Sequence, residues 1–356
     1  MTTPKGTTVG RTLPFGSDVG LRRRFQVLDE ALPGNLRFGL LLEVLDKLAE
    51  DAALAYVRQS HPEARVVTAA IDNILVRQAA DVTRDLWCLA RINHVGRSSM
   101  EVGIRVEHPG DPPTHIASAF FTMVAREGIG DEVKSVALPP LEYASDREKL
   151  RAKKAVERRD AYRSQLAAAL EPPTREEFDL LARLHHEQDR SDFSGLQVGR
   201  LTASSWERMY PEQENVPKTI FGGYLVRRAY ELADICAERI LSGRAVIVSV
   251  NRINFLQPVR MGDKLHYTAR VVYTGNHTVC VETNIERTSL DRTVRSLSNS
   301  CVFTFVHVDR ELVPQPVPKV YPGNYGEDAR YLEAHRRHMI ALAAKNASQP
   351  KGAGDK

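Results

Sequence analysis

The chain has 356 residues, enough for two domains with sizeable cores, and its 42% hydrophobic and 26% charged residues are those of an ordinary soluble protein. Its 49 basic and 45 acidic residues leave a formal charge of +4, too mild for a dedicated nucleic-acid surface though suited to an anionic small ligand. No apolar run approaches the roughly 18 residues that span a bilayer, and four cysteines without a C-x-x-C spacing read as reduced core thiols.

In chain order, a short basic start (Lys5, Arg11, Arg22, Arg23, Arg24) lacks the apolar core of a signal peptide, and the final Gly354-Asp355-Lys356 is no peroxisomal signal. The expected address is the cytoplasm or the mitochondrial matrix. Phe38-Gly39 then opens a helix over about 40–58. Residues 66–76, 86–95, 100–107 and 116–125 read as strands, from alternation and β-branched enrichment, with Gly96-Arg97-Ser98 turning the chain between the second and third. A charged segment, 146–163, has a helical pattern; Pro172-Pro173 breaks it and a second helical stretch starts near Thr174.

Phe221-Gly222-Gly223-Tyr224 opens a helix over about 223–241 that carries Glu231 in its third turn. Strands over 246–255, 265–273, 279–286 and 294–308 follow, with Gly275-Asn276 between the second and third. Four prolines between 314 and 322, a short helix at 329–345 and a polar tail complete the chain. The halves repeat: Phe38 and Phe221 are 183 residues apart, Gly96 and Gly275 179, Phe121 and Phe303 182. Order and spacing persist together, which implies a duplicated module of one long helix and an antiparallel sheet, an α+β architecture. The expected division is 12–130 and 196–310 for the modules, 131–195 for a helical linker and 311–356 for the extension and tail.

The glycine pair is the most informative feature. Bare amides at a helix N-terminus, backed by the helix dipole, suit a phosphate or a developing oxyanion. On the second helix Leu225, Ala229, Leu232 and Cys236 form the packed stripe, and Glu231 lies off it, free to serve a site or to pair with Arg227 at i,i+4. On the first, Leu41, Val44, Leu45, Leu48, Ala52 and Ala55 form the core stripe. Asp46 falls in a different row, among Leu42, Ala49, Ala53 and Val57. A carboxylate buried in an apolar row has a raised pKa unless it is hydrogen-bonded or paired, and marks a candidate site; the alternative is an exposed Asp beside Lys47 and Glu50.

These features resemble the double-hotdog acyl-CoA thioesterases, the mitochondrial type above all. The resemblance rests on IFGGYLVRRAYELA (220–233), FLQPVRMGDKL (255–265), LRFGLLLEVLDKLA (36–49), VGRSSMEV (95–102) and ASAFFTMVAR (117–126). It implies tandem hotdog domains, each a long helix wrapped by an antiparallel sheet, paired edge to edge with a site at either end of the seam. It further implies hydrolysis of fatty acyl-CoA to free acid and CoASH without a metal or other cofactor, and a homo-oligomer, with three two-domain chains as the expected assembly. Carried onto this sequence, Gly222 and Gly223 would polarise the thioester carbonyl, Asp46 would reach across as base or nucleophile, and Glu231 would serve the reciprocal site. Gly96, Arg97, Ser98, Gly275 and Asn276 would meet CoA, with Asn35 and Phe221 beside the helix starts. Two departures stand out. The first loop has Gly39-Leu40 against Gly222-Gly223, so the Gly222/Asp46 end is expected to be the stronger one. The Asn that many relatives place before the glycines is replaced by Lys218 and Thr219, with Asn215 further upstream.

G-x-S-x-G and G-K-[ST] are absent, which removes a serine-hydrolase elbow and a P-loop. His185-His186-Glu187 reads as a solvated helix rather than a metal cluster. An inactive acyl-CoA-binding or regulatory hotdog protein is the competing reading, and a hotdog dehydratase lacks its usual His–Asp motif.

Overall fold

The computed structural model describes residues 2–348 apart from 31, 129–132, 170, 217–218 and 252. After a 3-10 turn come β1 (Val9–Leu13), α1 (Val19–Phe25), α2 (Phe38–Val57), β2 (Arg65–Val76), β3 (Leu86–Val95), β4 (Ser99–His108), β5 (Thr114–Glu127) and the two-residue β6 (Lys134–Ser135). The helices α3 (Asp146–Ala169) and α4 (Arg175–Gln188) bridge to β7 (Leu196–Gln197), β8 (Thr202–Arg208) and the small β9 (Glu214–Val216)/β10 (Thr219–Ile220) hairpin. The second half then runs through α5 (Gly222–Glu238), β11 (Arg244–Val250), β12 (Ile253–Asn254), β13 (Lys264–Thr274), β14 (Thr278–Thr288), β15 (Arg295–Val308), β16 (Val320–Tyr321) and α6 (Tyr325–Ser348).

The main sheet orders its strands β1-β3-β4-β5-β2-β11-β15-β14-β13-β8. Read from either edge, the path is the same: an edge strand, a hairpin, a long strand, then the strand after the helix. The halves meet where β2 pairs β11 antiparallel, Leu75 opposite Ser249 and Ile74 opposite Val250. β12 of the second half also pairs β2, Ile253 opposite Ile71. These are two hotdogs fused edge to edge into one sheet, and helices α2 and α5 pack against each other inside it. Alternation decides the inner face. Along β5, Ala117, Ala119, Phe121, Met123 and Ala125 are all buried, and Phe303 and Phe305 mirror them on β15. Full burial of each such Phe contributes roughly 1.5–3 kcal/mol.

The stripe expected on α2 needs correction. Leu41, Leu45, Leu48 and Ala52 are buried, but Ala55 is exposed and Val44 only half-buried, whereas Leu42, Ala49, Ala53 and Val57 are fully buried. The helix has sheet on one flank and α5 on the other, so its apolar surface wraps further round than a one-sided helix needs. Asp46 is therefore fully buried. The edge strands β1 and β8 were not read from the sequence. Each is short and its outer face polar or exposed, as with Trp206 on β8, so no apolar alternation announces it.

The helices α3 and α4 are tied down by polar contacts. Arg158 of α3 pairs with the buried Glu101 and lies 3.7 Å from the Phe120 ring centroid. His185 and Glu187, expected to be solvated, instead dock α4. His185 Nε2 lies 2.9 Å from an oxygen of Asp328, and Glu187 accepts from Lys319 Nζ at 2.7 Å and the Tyr321 hydroxyl at 2.8 Å. Among the described residues no group of three or more His, Cys, Asp or Glu could hold a metal ion.

Candidate active site

Phe221 is the N-cap of α5 and supplies no side-chain cap, so the first amides of the helix look for partners elsewhere. The Gly223 N–H finds one across the seam, donating to Asp46 Oδ2 at 2.7 Å. The hydroxyl of Thr68 on β2 donates to Asp46 Oδ1, also at 2.7 Å. Gly222, the first helical residue, keeps an amide with no hydrogen-bond partner among the described residues. Both glycines are required by close approach. A Cβ on Gly223 would lie 2.8 Å from the Phe221 ring and 3.0 Å from Asp46 Cβ, and one on Gly222 would lie 3.0 Å from the Phe255 ring. The expected shared polarising role for the two amides is thus divided: Gly223 holds the carboxylate, and Gly222 is the donor left over.

Burial raises the Asp46 pKa from 3.8 to about 6, against the hydrogen bonds from Thr68 and Gly223, which lower it. The nearby Glu50 raises it further and Lys47 lowers it. Thr68 and Phe255 were missed in the sequence. The signal for Thr68 was present: it shares parity with the buried Val66 and Ala70, so a hydroxyl stands at an inward position of an apolar strand. Phe255 offered no such signal, because its place follows from β12 crossing onto β2, where its N–H donates to Ala69 O at 3.2 Å.

At the far end of the α2/α5 seam the arrangement differs from expectation. Gly223 abuts Asp46, and Gly39 abuts Tyr230, with a Cβ on Gly39 falling 3.3 Å from Tyr230 Cδ1. Gly39 and Gly223 are 184 residues apart, as are Asp46 and Tyr230. Tyr230, not Glu231, occupies the place equivalent to Asp46, and Phe38 the place of Gly222. The Tyr230 ring packs among Phe38, Phe303 and Phe305, and burial drives its phenol pKa well above 10. Glu231 is held instead by Arg37 at 2.7 Å, Arg228 at 2.8 Å and Arg227 at 3.1 Å, which keep its carboxyl below the usual range although burial alone would raise it. An acid held by three guanidinium groups braces the two helices and has no amide bend before it.

Asn35 also departs from a ligand role. It is buried, its carbonyl accepts from Leu28 N at 2.9 Å, and its amide donates to Leu28 O and Glu30 O. Replacing Asn35 by Ala would remove three part-buried hydrogen bonds to the backbone of Leu28 and Glu30, and a denaturant titration is expected to show a loss of about 1 kcal/mol. The side chains of Asn215, Lys218 and Thr219 lie outside the described residues.

The two candidate CoA turns sit at opposite ends of the molecule. Thr68 pairs with Met123, Met123 with Met100 and Met100 with Val95, so Gly96-Arg97-Ser98 ends the strand row that begins at Thr68. Two to three strand spacings separate them, roughly 10–14 Å. Arg97 is exposed there. Gly275-Asn276 instead ends the row from Val246 through Val306 and Thr278, at the Tyr230 end. A Cβ on Gly275 would meet His338 of α6 at 2.8 Å, and Asn276 O accepts from Val317 N at 3.0 Å. The C-terminal extension covers that turn, so Gly275 and Asn276 do not serve the Asp46 end.

The chain is thus a fused pair of hotdogs with a buried acid facing a glycine amide across the seam. The thioesterase-superfamily model matches the chain twice, over residues 39–113 and 218–292, so each half carries a thioesterase-superfamily domain. The chain is similar to human mitochondrial acyl-coenzyme A thioesterase 9, 28% identical over 93% of this chain and 76% of that protein. It is also similar to mitochondrial acyl-coenzyme A thioesterase 4 of Humulus lupulus, 30% identical over 90% of this chain and 64% of that protein. Among solved structures, an acyl-CoA hydrolase from Bacillus cereus matches 44% of this chain and 97% of its own at 26% identity, with a TM-score of 0.40.

Proposed function

We propose that the protein hydrolyses acyl-CoA thioesters to a free acid and CoASH at the Asp46 end of the seam. The single observation that carries this reading is the fully buried Asp46 carboxylate, held at 2.7 Å by the Gly223 amide and by Thr68 beside an unpartnered Gly222 amide. The Gly222 N–H, at the positive end of α5, polarises the thioester carbonyl and stabilises the oxyanion. Asp46 takes a proton from water as that water attacks the carbonyl carbon. The tetrahedral adduct then collapses, the C–S bond breaks, and Asp46 returns its proton to the departing thiolate. Phe221 and Phe255 wall the glycine bend and exclude bulk water. Arg97 meets a CoA phosphate, its planar fork matching that anion. By family resemblance the chain works as a homo-oligomer, three double hotdogs together, in the cytoplasm or the mitochondrial matrix. No helix among the described residues is long and apolar enough to cross a membrane.

The test is thiol release from a panel of acyl-CoAs across pH. The four cysteines are free and buried, with burial pushing Cys88 up to about 12, so a thiol reagent reads CoASH with little background. A base with a pKa of about 6 predicts kcat/KM rising tenfold per pH unit below 6 and levelling above it. Saturable acyl-CoA binding with no thiol release would instead establish an inactive binding protein. A water-activating Asp46 also predicts that one turnover in 18O-water labels the product acid. Label retained in the protein would assign Asp46 as the nucleophile instead.

Replacing Thr68 by Val removes one donor from the carboxylate. Its pKa should climb, and the inflection of the pH–rate profile should move up with it. At pH 7 about a tenfold loss in kcat is expected, recovering in part at higher pH. A uniform loss at every pH would show that Thr68 acts only through packing.

A further inference from the structure

We propose that the outer face of the first hotdog, in the corner where β3 and β4 meet α3, docks on an anionic lipid surface. Alternation puts Trp87, Leu89 and Arg91 of β3 on that face, with Cys88 and Ala90 buried on the other. Register sets Arg105 of β4 beside Leu89 and Gly103 beside Arg91. Arg91 and Arg105 are therefore diagonal neighbours, roughly 7–8 Å apart along the backbones. Phe120 lies opposite Gly103 and beneath Arg158, which brings α3 alongside Arg91. Arg147, Leu150, Arg151 and Lys154 stand at i, i+3, i+4 and i+7, so they share one flank of α3. Arg91, Arg147, Arg151 and Lys154 have no acidic partner among the described residues. The acids nearby are engaged. Glu107 holds Arg105, Glu101 holds Arg158, Asp146 holds Lys149 and Glu157 holds Lys153. Glu148 accepts the backbone N–H groups of Lys5, Ala144 and Ser145, and Asp85 accepts that of Gly16. Arg77 and His115, beyond Glu107, add no negative charge. Burial, then Arg91, Arg147 and Arg105, lower the Arg151 pKa against Glu148, as expected where like charges crowd.

Charge and apolar exposure together select the partner. Trp87 is 41% exposed, Leu89 38% and Leu150 51%, each beside these cations. Cations around exposed Trp and Leu match the headgroup layer of an anionic bilayer. Guanidinium and ammonium groups meet the phosphates, and the apolar side chains enter the acyl boundary. A second copy of the chain fits less well. A two-fold contact would set the same cations against each other. A head-to-tail contact would need surplus acid on another face, and on the matching face of the second half Glu286 pairs with Arg295 and Glu282 with Arg330. The surface is also separate from the Asp46 end. The row of Arg91 crosses β2 at Asn73, five residues from Thr68, and Arg91 lies three strand spacings further across, roughly 20 Å in all.

Co-sedimentation of the full chain with vesicles of phosphatidylcholine, alone or mixed equally with phosphatidylglycerol, tests this. Binding to the mixed vesicles should be at least about tenfold tighter and should weaken with added salt. Arg147→Gln combined with Lys154→Gln should weaken it about twentyfold, two charges at about fivefold each. Arg175→Gln combined with Arg183→Gln, two exposed arginines of α4, should change nothing. The chain has two tryptophans, so Trp206→Phe leaves Trp87 as the reporter. Its emission should shift to the blue and be quenched by brominated lipid, whereas Trp206 emission in Trp87→Phe should not. No binding, equal binding to neutral vesicles, unchanged affinity in the Arg147/Lys154 variant, or quenching of Trp206 instead would each overturn the proposal. A thymidine oligonucleotide bound more tightly than the mixed vesicles would also overturn it and assign the face to nucleic acid. A smaller assembly of the Arg147/Lys154 variant in sedimentation velocity would overturn it in favour of a contact between copies. None of these measurements involves turnover, so the outcome is independent of hydrolysis at the Asp46 end.

Discussion

Replacing Asp46 by Asn is expected to lower kcat for acyl-CoA hydrolysis by on the order of 10²–10⁴ while KM changes little, because an amide cannot take a proton from water. Size and burial are conserved, and the amide oxygen can still accept from Gly223, so the fold survives. The variant should also be more stable than the parent at pH 7. An acid whose folded pKa is raised holds its proton more tightly folded than unfolded, so the parent loses stability as pH rises from 3.8 through about 6. That span corresponds to about 3 kcal/mol, present as a penalty above pH 6 and absent from the Asn variant. Denaturant titrations at pH 4.5 and pH 7.5 should therefore show the gap between variant and parent widening with pH. Full activity in Asp46→Asn would remove the proposed mechanism. A gap that narrows with pH would mean that the buried carboxylate is better stabilised than its surroundings indicate.

Gly223→Val is the second large effect. The new side chain meets the Phe221 ring at 2.8 Å and Asp46 Cβ at 3.0 Å. A ring end can swing, but Asp46 Cβ is anchored to the backbone of α2, so α2 and α5 must part. A cost of about 1–3 kcal/mol in stability is expected, together with a loss of about 10²–10³ in kcat as the amide withdraws from the carboxylate. Thermal denaturation with parallel rate measurements checks both. Unchanged turnover with normal stability would show that the Gly223–Asp46 contact is dispensable.

Much of the fold was legible, for identifiable reasons. The long strands of both halves alternate cleanly, and the second half repeats the landmarks of the first. The long helix of each half therefore falls within a few residues of where the chain leads one to expect it, as α5 does at Gly222–Glu238, whereas the short α1 (Val19–Phe25) was not expected at all. The short edge strands β1 and β8 were hidden because one face of each is polar or open to solvent. Asp46 was legible as an acid in an apolar row. Its partner Thr68 was legible only in retrospect, since one inward hydroxyl in a strand is common, and only a carboxylate opposite gives it meaning.

Glu231 shows where periodicity stops being informative. Its helical position allowed either a site or an ion pair, and the choice rests on Arg37, 194 residues away in sequence. The pairing of the halves was also mis-set by one residue at the helix starts. Phe38 matches Phe221 by letter, yet packing matches Gly39 to Gly223, because contact between the helices selects the residue that lacks a Cβ.

The amino-acid sequence by itself determined the duplicated α+β module, the glycine-opened helix and the unusual placement of Asp46, since periodicity, glycine and charge act within a few turns of chain. Only the tertiary structure decided how the two ends of the seam differ. That outcome depends on which side chains from opposite halves meet: an amide with a carboxylate at one end, a glycine with a tyrosine ring at the other. Such meetings are set by how two helices pack inside a shared sheet, across some 180 residues of chain.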